Sequence, residues 1–195
     1  MSWKRGAYPE FTVEDAVAVL FLMKTPVGRK TISELLDLGE GSVRTLLRKL
    51  SRRELIESSQ RGHVLSDKGK GLVEGLPFSE VHEVGKVEGL PAYAIIVKNP
   101  PQFKSIELRD EAIRFFAKGA MILVVRNGEI VFPEDERPLR ETMPELAEKL
   151  SLLKPEEGDM VVVTWAENPA DAMKSAYHVA VFLKDVPEEI KSLVR

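Results

Sequence analysis

No cysteine occurs among the 195 residues, which excludes disulfides, thiol nucleophiles and cysteine-ligated zinc or iron–sulfur centres. Close histidine pairs are also missing: the three histidines are His63, His82 and His178, no HExxH occurs, and a lone histidine is more often structural than a ligand. Neither GxGxxG nor GxxxxGK[ST] follows any candidate strand, so nothing supports nucleotide hydrolysis. The acidic clusters Glu134-Asp135-Glu136 and Glu156-Glu157 lie beside Pro133 and Pro155 in turns, without calcium-loop spacing. No metal, no cofactor and no catalytic residue set are therefore expected. The protein reads as a non-enzyme.

Long apolar runs are missing as well. The longest early one, VEDAVAVLFLM, carries Glu14 and Asp15 and is too short to cross a bilayer, and no secretory core is visible near Met1. No membrane partner and a cytoplasmic location are the expectation. There is no low-complexity tract, and the apolar fraction of 44% is that of a globular protein. Abundant Glu and Lys without Cys is also a thermophile-like composition.

What is present divides the chain in two. Its length exceeds the usual single-domain size. Up to Leu76 there are thirteen Lys or Arg against ten Asp or Glu, and beyond it fifteen against twenty-one, within a net charge of -3. A protein acidic as a whole would owe nucleic-acid affinity to a local patch. Gly75 and Pro77 mark a junction, giving domains 1–76 and 80–195.

The first domain is the more informative. Thr12 with Asp15 makes a helix start, and Val13, Ala16, Val17, Leu20 and Phe21 share one face until Pro26-Val27-Gly28. Trp3 and Tyr8 in the preceding arm would cover this core or a partner subunit. Thr31 with Glu34 predicts a capping box opening a second helix through Ile32, Leu35 and Leu36. Gly39 and Gly41 then supply the backbone freedom of a sharp turn, and Ser42 would cap a third helix. In that helix Val43, Leu46, Leu47 and Leu50 form an inward stripe, while Arg44, Thr45, Arg48 and Lys49 lie outside it. Leu55-Ile56 and Val64-Leu65 flank the polar tip Ser58-Ser59-Gln60-Arg61-Gly62 as a hairpin.

These residues, ISELLDLGEGSVRTLLRKLSRRELI followed by VLSDKGKGL, resemble archaeal-type two-domain winged helix-turn-helix transcriptional regulators over roughly the first two-fifths of the chain. The resemblance implies that Ser42, Arg44, Thr45, Arg48 and Lys49 face base edges and phosphates of double-stranded DNA. It places Gln60, Arg61 and His63 of the wing on the backbone or minor groove, and Arg52 and Arg53 on phosphate. From Ser42 to His63 six basic residues face only Glu54 and Glu57. The competing interpretation is a solvated basic face, or a winged helix that binds protein.

The second domain shows a different periodicity. Strands are expected at 81–87 and 92–98, and a helix at 109–118 with Ala112, Ile113, Phe116 and Ala117 on one side. A hairpin follows, with strands 121–126 and 129–132 around Asn127-Gly128, a pair suited to a type I′ turn. A helix at 143–153, a strand at 160–164 and a helix at 170–183 complete a ββαββα then βα order. The fold class is α+β, two-domain, the second domain a two-layer unit with a mainly antiparallel sheet and helices on one face.

The pieces GLPAYAIIVK, FFAKGAMILVVRNGEIVFP and EEGDMVVVTWAENPADAMKSAYHVAVFL resemble the GAD domain, an insertion in bacterial-type aspartyl-tRNA synthetases and GatB-like amidotransferase subunits. That resemblance implies a fold and no chemistry. One location in it suggests a ligand: Thr164, Trp165 and Asn168 join a strand to a helix whose first amides would receive an anion, although a well-capped turn accounts for the same residues. The resulting expectation is a DNA-binding transcriptional regulator, a homodimer whose second domain pairs subunits, senses a small-molecule effector, or both. The alternative is an RNA-associated or protein-interaction module linked to tRNA metabolism.

Overall fold

The computed structural model describes residues 11–195. Trp3 and Tyr8 lie outside the described residues. Two units are present: the chain up to Gly75 together with Val186–Arg195, and Leu76–Asp185.

In the first unit, α1 (Val13–Leu22) opens with the expected capping box, Thr12 and Asp15 satisfying each other's backbone amides. Its body is buried from Ala16 to Phe21, so it forms the centre of the unit's core. The next helix differs from expectation. α2 spans Arg29–Leu36 with Gly28 as its N-cap, so Thr31 lies inside the helix and forms no capping box. The helix starts earlier because Val27 is pinned by a two-bond backbone bridge to His63, and the chain turns into helix directly after it.

The α2-to-α3 turn also departs from the glycine rule. Its left-handed residue is Asp37 (φ 49°), while Gly39 sits at φ -60°. The turn is closed by the Leu38 amide donating to the Ser33 carbonyl at 3.0 Å and by the Ser33 hydroxyl donating back to the Leu38 carbonyl. α3 then spans Glu40–Arg52 with Gly39 as N-cap, which places Ser42 within the first turn and not at the cap. Strands β1 (Ile56–Ser59) and β2 (Gly62–Leu65) pair antiparallel around Gln60-Arg61. α4 (Asp67–Glu74) follows, capped by Ser66.

The last ten residues differ most from the expected boundaries. α8 (Glu188–Lys191) belongs to the first unit and not to the second. Val186, Ile190 and Leu193 are buried, and burial of three aliphatic side chains supplies the driving force for that return.

The second unit is a five-stranded antiparallel sheet in the order β3-β4-β7-β5-β6, comprising β3 (His82–Val87), β4 (Leu90–Val97), β5 (Gly119–Arg126), β6 (Glu129–Val131) and β7 (Met160–Trp165). Asn127 (φ 53°) and Gly128 (φ 74°) both adopt the left-handed conformation of the expected type I′ turn. The Glu157 carboxylate accepts both turn amides, at 2.9 and 3.0 Å.

The antiparallel α+β class stands, but helices cover both faces of the sheet and not one. α5 (Ser105–Arg114) and α7 (Pro169–Leu183) lie on one side. On the other, Leu146, Ala147 and Leu150 of α6 (Pro144–Leu152), with Leu139 of a short 3-10 turn, cluster with Ala94, Ile96, Val161 and Val163. The sequence carries the reason: β7 is buried at every position, and a strand apolar on both faces needs cover on both.

The face of α5 is also corrected. Leu108 and Ala112 are buried with Ala117 beyond the helix end, whereas Ile106, Ile113 and Phe116 stand 50–65% exposed. Ile106 and Ile113 are thus exposed on α5, and Phe116 just beyond its end.

Candidate nucleic-acid interface

The interface is built on α3. Val43, Leu46, Leu47 and Leu50 are buried and fix the helix against the unit's core. Helical periodicity then divides the remaining side chains between two flanks. Arg44, Arg48 and Ser51 face one flank, where with Leu47 they line a cleft completed by Arg29 of α2 and His63 of β2. Arg44, Arg48 and Arg29 are exposed and form no ion pair with a carboxylate among the described residues. Three guanidinium groups and an imidazole without a counter-charge make a surface for an anion.

His63 is held in the cleft by its backbone. Its amide donates to the Val27 carbonyl at 2.8 Å, and the Val27 amide donates to the His63 carbonyl at 2.9 Å. Its Nδ1 lies 3.3 Å from the Ser58 hydroxyl. Partial burial, and then the nearby Arg29 guanidinium, lower its pKa below the ordinary histidine value, because both disfavour a second positive charge. Gly62 makes this geometry attainable: at φ 124° it passes so close to Val27 that a Cβ would lie 2.4 Å from the Val27 carbonyl oxygen. At the wing tip Gln60 and Arg61 are exposed, and the Arg61 amide donates to the Ser59 hydroxyl at 3.2 Å.

The opposite flank of α3 has a different occupation. Lys49 Nζ donates to the backbone carbonyls of Leu193 at 2.6 Å and Arg195 at 3.1 Å, and lies over the Phe11 ring. Arg53 donates to the Ser192 carbonyl at 3.0 Å and to its hydroxyl at 3.1 Å. These carbonyls follow α8, where the last turn leaves acceptors unsatisfied and cations are favoured. Lys49 and Arg53, expected at DNA, thus hold the C-terminal segment in place. Ser42 and Thr45 are half-buried, and Arg52 is exposed beside Arg48's face of the helix.

The structure brings Arg44, Arg48 and His63 together and adds Arg29 and Ser51, which the sequence reading missed. Arg29 precedes the apolar pattern of α3 by fourteen or more residues, and only the Val27–His63 bridge carries it to the wing. Its sequence signal was the basic pair Arg29-Lys30 directly after Pro26-Val27-Gly28.

In the second unit the residues of the candidate ligand location are engaged by contacts within the fold. The Thr164 hydroxyl, fully buried, donates to the Ala172 carbonyl at 2.6 Å. Trp165 packs into the sheet core with its Nε1 donating to Glu88 at 3.0 Å, and Gly119 opposite leaves room for its ring. The Asn168 side chain accepts the Ala170 amide at 3.0 Å. Each of these polar groups has a partner within the fold.

Comparison with known proteins divides the chain at the same place. Residues 12–71 match the family described as PH0730-like, N-terminal domain. Residues 88–183 match a domain of unknown function, DUF4443. No curated protein matches. Among solved structures the chain is similar to a hypothetical protein, PH0730 from Pyrococcus horikoshii OT3, at 58% identity and a TM-score of 0.89. That alignment covers 95% of this chain and 100% of the other. With the whole of that protein matched at this identity, the chain belongs to the PH0730-like family of two-domain archaeal proteins.

Proposed function

We propose that this protein is a DNA-binding transcription regulator in which α3 enters the major groove and the β1–β2 wing lies along the adjacent backbone. The observation that carries the reading is the uncompensated basic cleft of Arg29, Arg44, Arg48 and His63 on the exposed side of α3. It occurs in a chain whose net charge is -3, where affinity for an anionic partner must come from a local basic patch. Arg44 and Arg48 lie on the helix face that a groove would meet, Arg52 extends it, and Gln60 and Arg61 extend the surface along the wing. Lys49 and Arg53 position α3 and do not contact DNA.

A second copy of the chain is the proposed partner, since one recognition helix buries limited surface and pairs of them read half-sites about 10 base pairs apart. The exposed apolar residues Ile106, Ile113 and Phe116 support pairing through the second unit. A small-molecule effector remains a role proposed for that unit as a whole, without the Thr164–Asn168 turn.

Selection from a pool of random duplexes, followed by sequencing, tests this. An enriched motif with two related half-sites agrees with a dimeric regulator. Failure to enrich any motif, with tRNA retained in preference to duplex, contradicts it.

A further inference from the structure

Arg29, Arg44, Arg48 and His63 come from three elements, α2, α3 and β2, and converge on one cleft. Base-reading side chains project from one element into a groove, whereas a phosphate between groove and wing is gripped from several sides. Arg29 is the first residue of α2 and lies beside the wing through the Val27–His63 bridge. We infer that these four side chains form a single seat for one DNA backbone phosphate, and that His63 takes up a proton when the phosphate arrives. The inference rests on the DNA-binding reading and adds to it a stoichiometry and a pH dependence.

The groups facing His63 are Arg29 from α2, Arg44 and Arg48 from α3, and the Ser58 hydroxyl from β1. No carboxylate among the described residues lines the cleft. In the free protein partial burial, and then the Arg29 guanidinium, disfavour the charged imidazole. A phosphate carries the opposite charge into the same space, offsets the guanidinium groups and accepts a hydrogen bond from the imidazolium. His63 is therefore a better proton acceptor in the complex than alone. Linkage then requires affinity to rise as pH falls, by at most tenfold per pH unit for one proton, between the bound and free pKa values.

The test is a fluorescence-anisotropy titration of a labelled mixed-sequence duplex at constant ionic strength, from about pH 8 to about pH 5.5. Wild type is compared with His63→Gln and Arg29→Gln, each verified as folded by circular dichroism. The imidazole resonances are followed by NMR, with His63 assigned through the His63→Gln variant. Expected is a several-fold gain in wild-type affinity toward acid pH that is shallower in His63→Gln. The His63 titration should move upward when duplex is added, and upward in free Arg29→Gln, where a repelling charge has gone. Duplex binding with the same pH slope in wild type and His63→Gln overturns the phosphate seat and leaves the DNA reading standing. Absence of duplex binding at every pH overturns the DNA reading and the seat with it.

Discussion

Substituting Gly62 by alanine isolates the joint that assembles the proposed interface. At φ 124° a side chain is strained, at a cost of order 1–3 kcal/mol. The new Cβ would meet the Val27 carbonyl oxygen at 2.4 Å and carbon at 2.5 Å, both backbone atoms that cannot swing aside. Relief requires β2 to move off Val27, which breaks hydrogen bonds of 2.8 and 2.9 Å, each contributing about 1 kcal/mol net. The expected loss is about 3–5 kcal/mol, a large part of a domain's stability. For a unit of this size that lowers Tm by at least about 10 °C. Gly71→Ala is the matched control: it lies in α4, nothing is within 4 Å of its added Cβ, and alanine gains about 0.5–1 kcal/mol of helix propensity there. Thermal melts by circular dichroism, with duplex titrations of both variants, read the outcome. Gly62→Ala should lose Tm and duplex affinity together, since the wing carries His63 away from Arg29, while Gly71→Ala holds both. A Gly62→Ala variant that melts with wild type would refute the close approach on which the interface geometry depends.

Three further outcomes follow from other contacts. Lys49→Ala removes a cation from carbonyls that follow α8 and should cost about 1 kcal/mol in denaturant unfolding; a chain ended at Asp185 should lose more, because it removes the buried Val186, Ile190 and Leu193 and uncovers the core they pack on. Gly119→Ala sets a Cβ 2.3 Å from the Trp165 ring and should destabilise the second unit by about 1–3 kcal/mol, with a shifted tryptophan fluorescence maximum; an unchanged spectrum and melt would contradict the packing. Glu157 has its pKa lowered first by the Gly128 amide and then by the Asn127 amide, so its contribution is complete above the ordinary value of 4.5 and fades as pH falls through the lowered folded value. Glu157→Gln should therefore flatten the acid limb of stability against pH, and an acid limb identical to wild type would argue against the turn contact.

What the sequence reveals here is what short-range chemistry decides. The Thr12–Asp15 cap and the Asn127-Gly128 turn involve partners within three residues, and each has the expected geometry. The buried stripe of α3 was legible because helical periodicity reports it directly. Lys49 and Arg53 were not, because their partners lie 144 and 139 residues onward, and a basic residue on a recognition helix has the same local signature whether it meets phosphate or a helix end. Thr31 and Ser42 show the converse. Both are good capping residues, yet the Val27–His63 bridge and the Asp37 turn start the helices earlier. The α5 face was misplaced because Ile113 and Phe116 are apolar and outward, where periodicity takes apolar for inward. Arg29 entered the site through tertiary pairing alone.

The central claim is that DNA affinity resides on one flank of α3 and not on the other. The measurement is duplex affinity against salt concentration for wild type, Arg48→Ala and Lys49→Ala. Each phosphate contact contributes about -0.9 to the slope of log K against log salt, so Arg48→Ala, which removes one of the charges on a shared phosphate, should weaken binding and make that slope shallower by up to about one. Lys49→Ala should leave the slope unchanged. A shallower slope in Lys49→Ala with none in Arg48→Ala, or no salt-dependent duplex binding by wild type, would contradict the account.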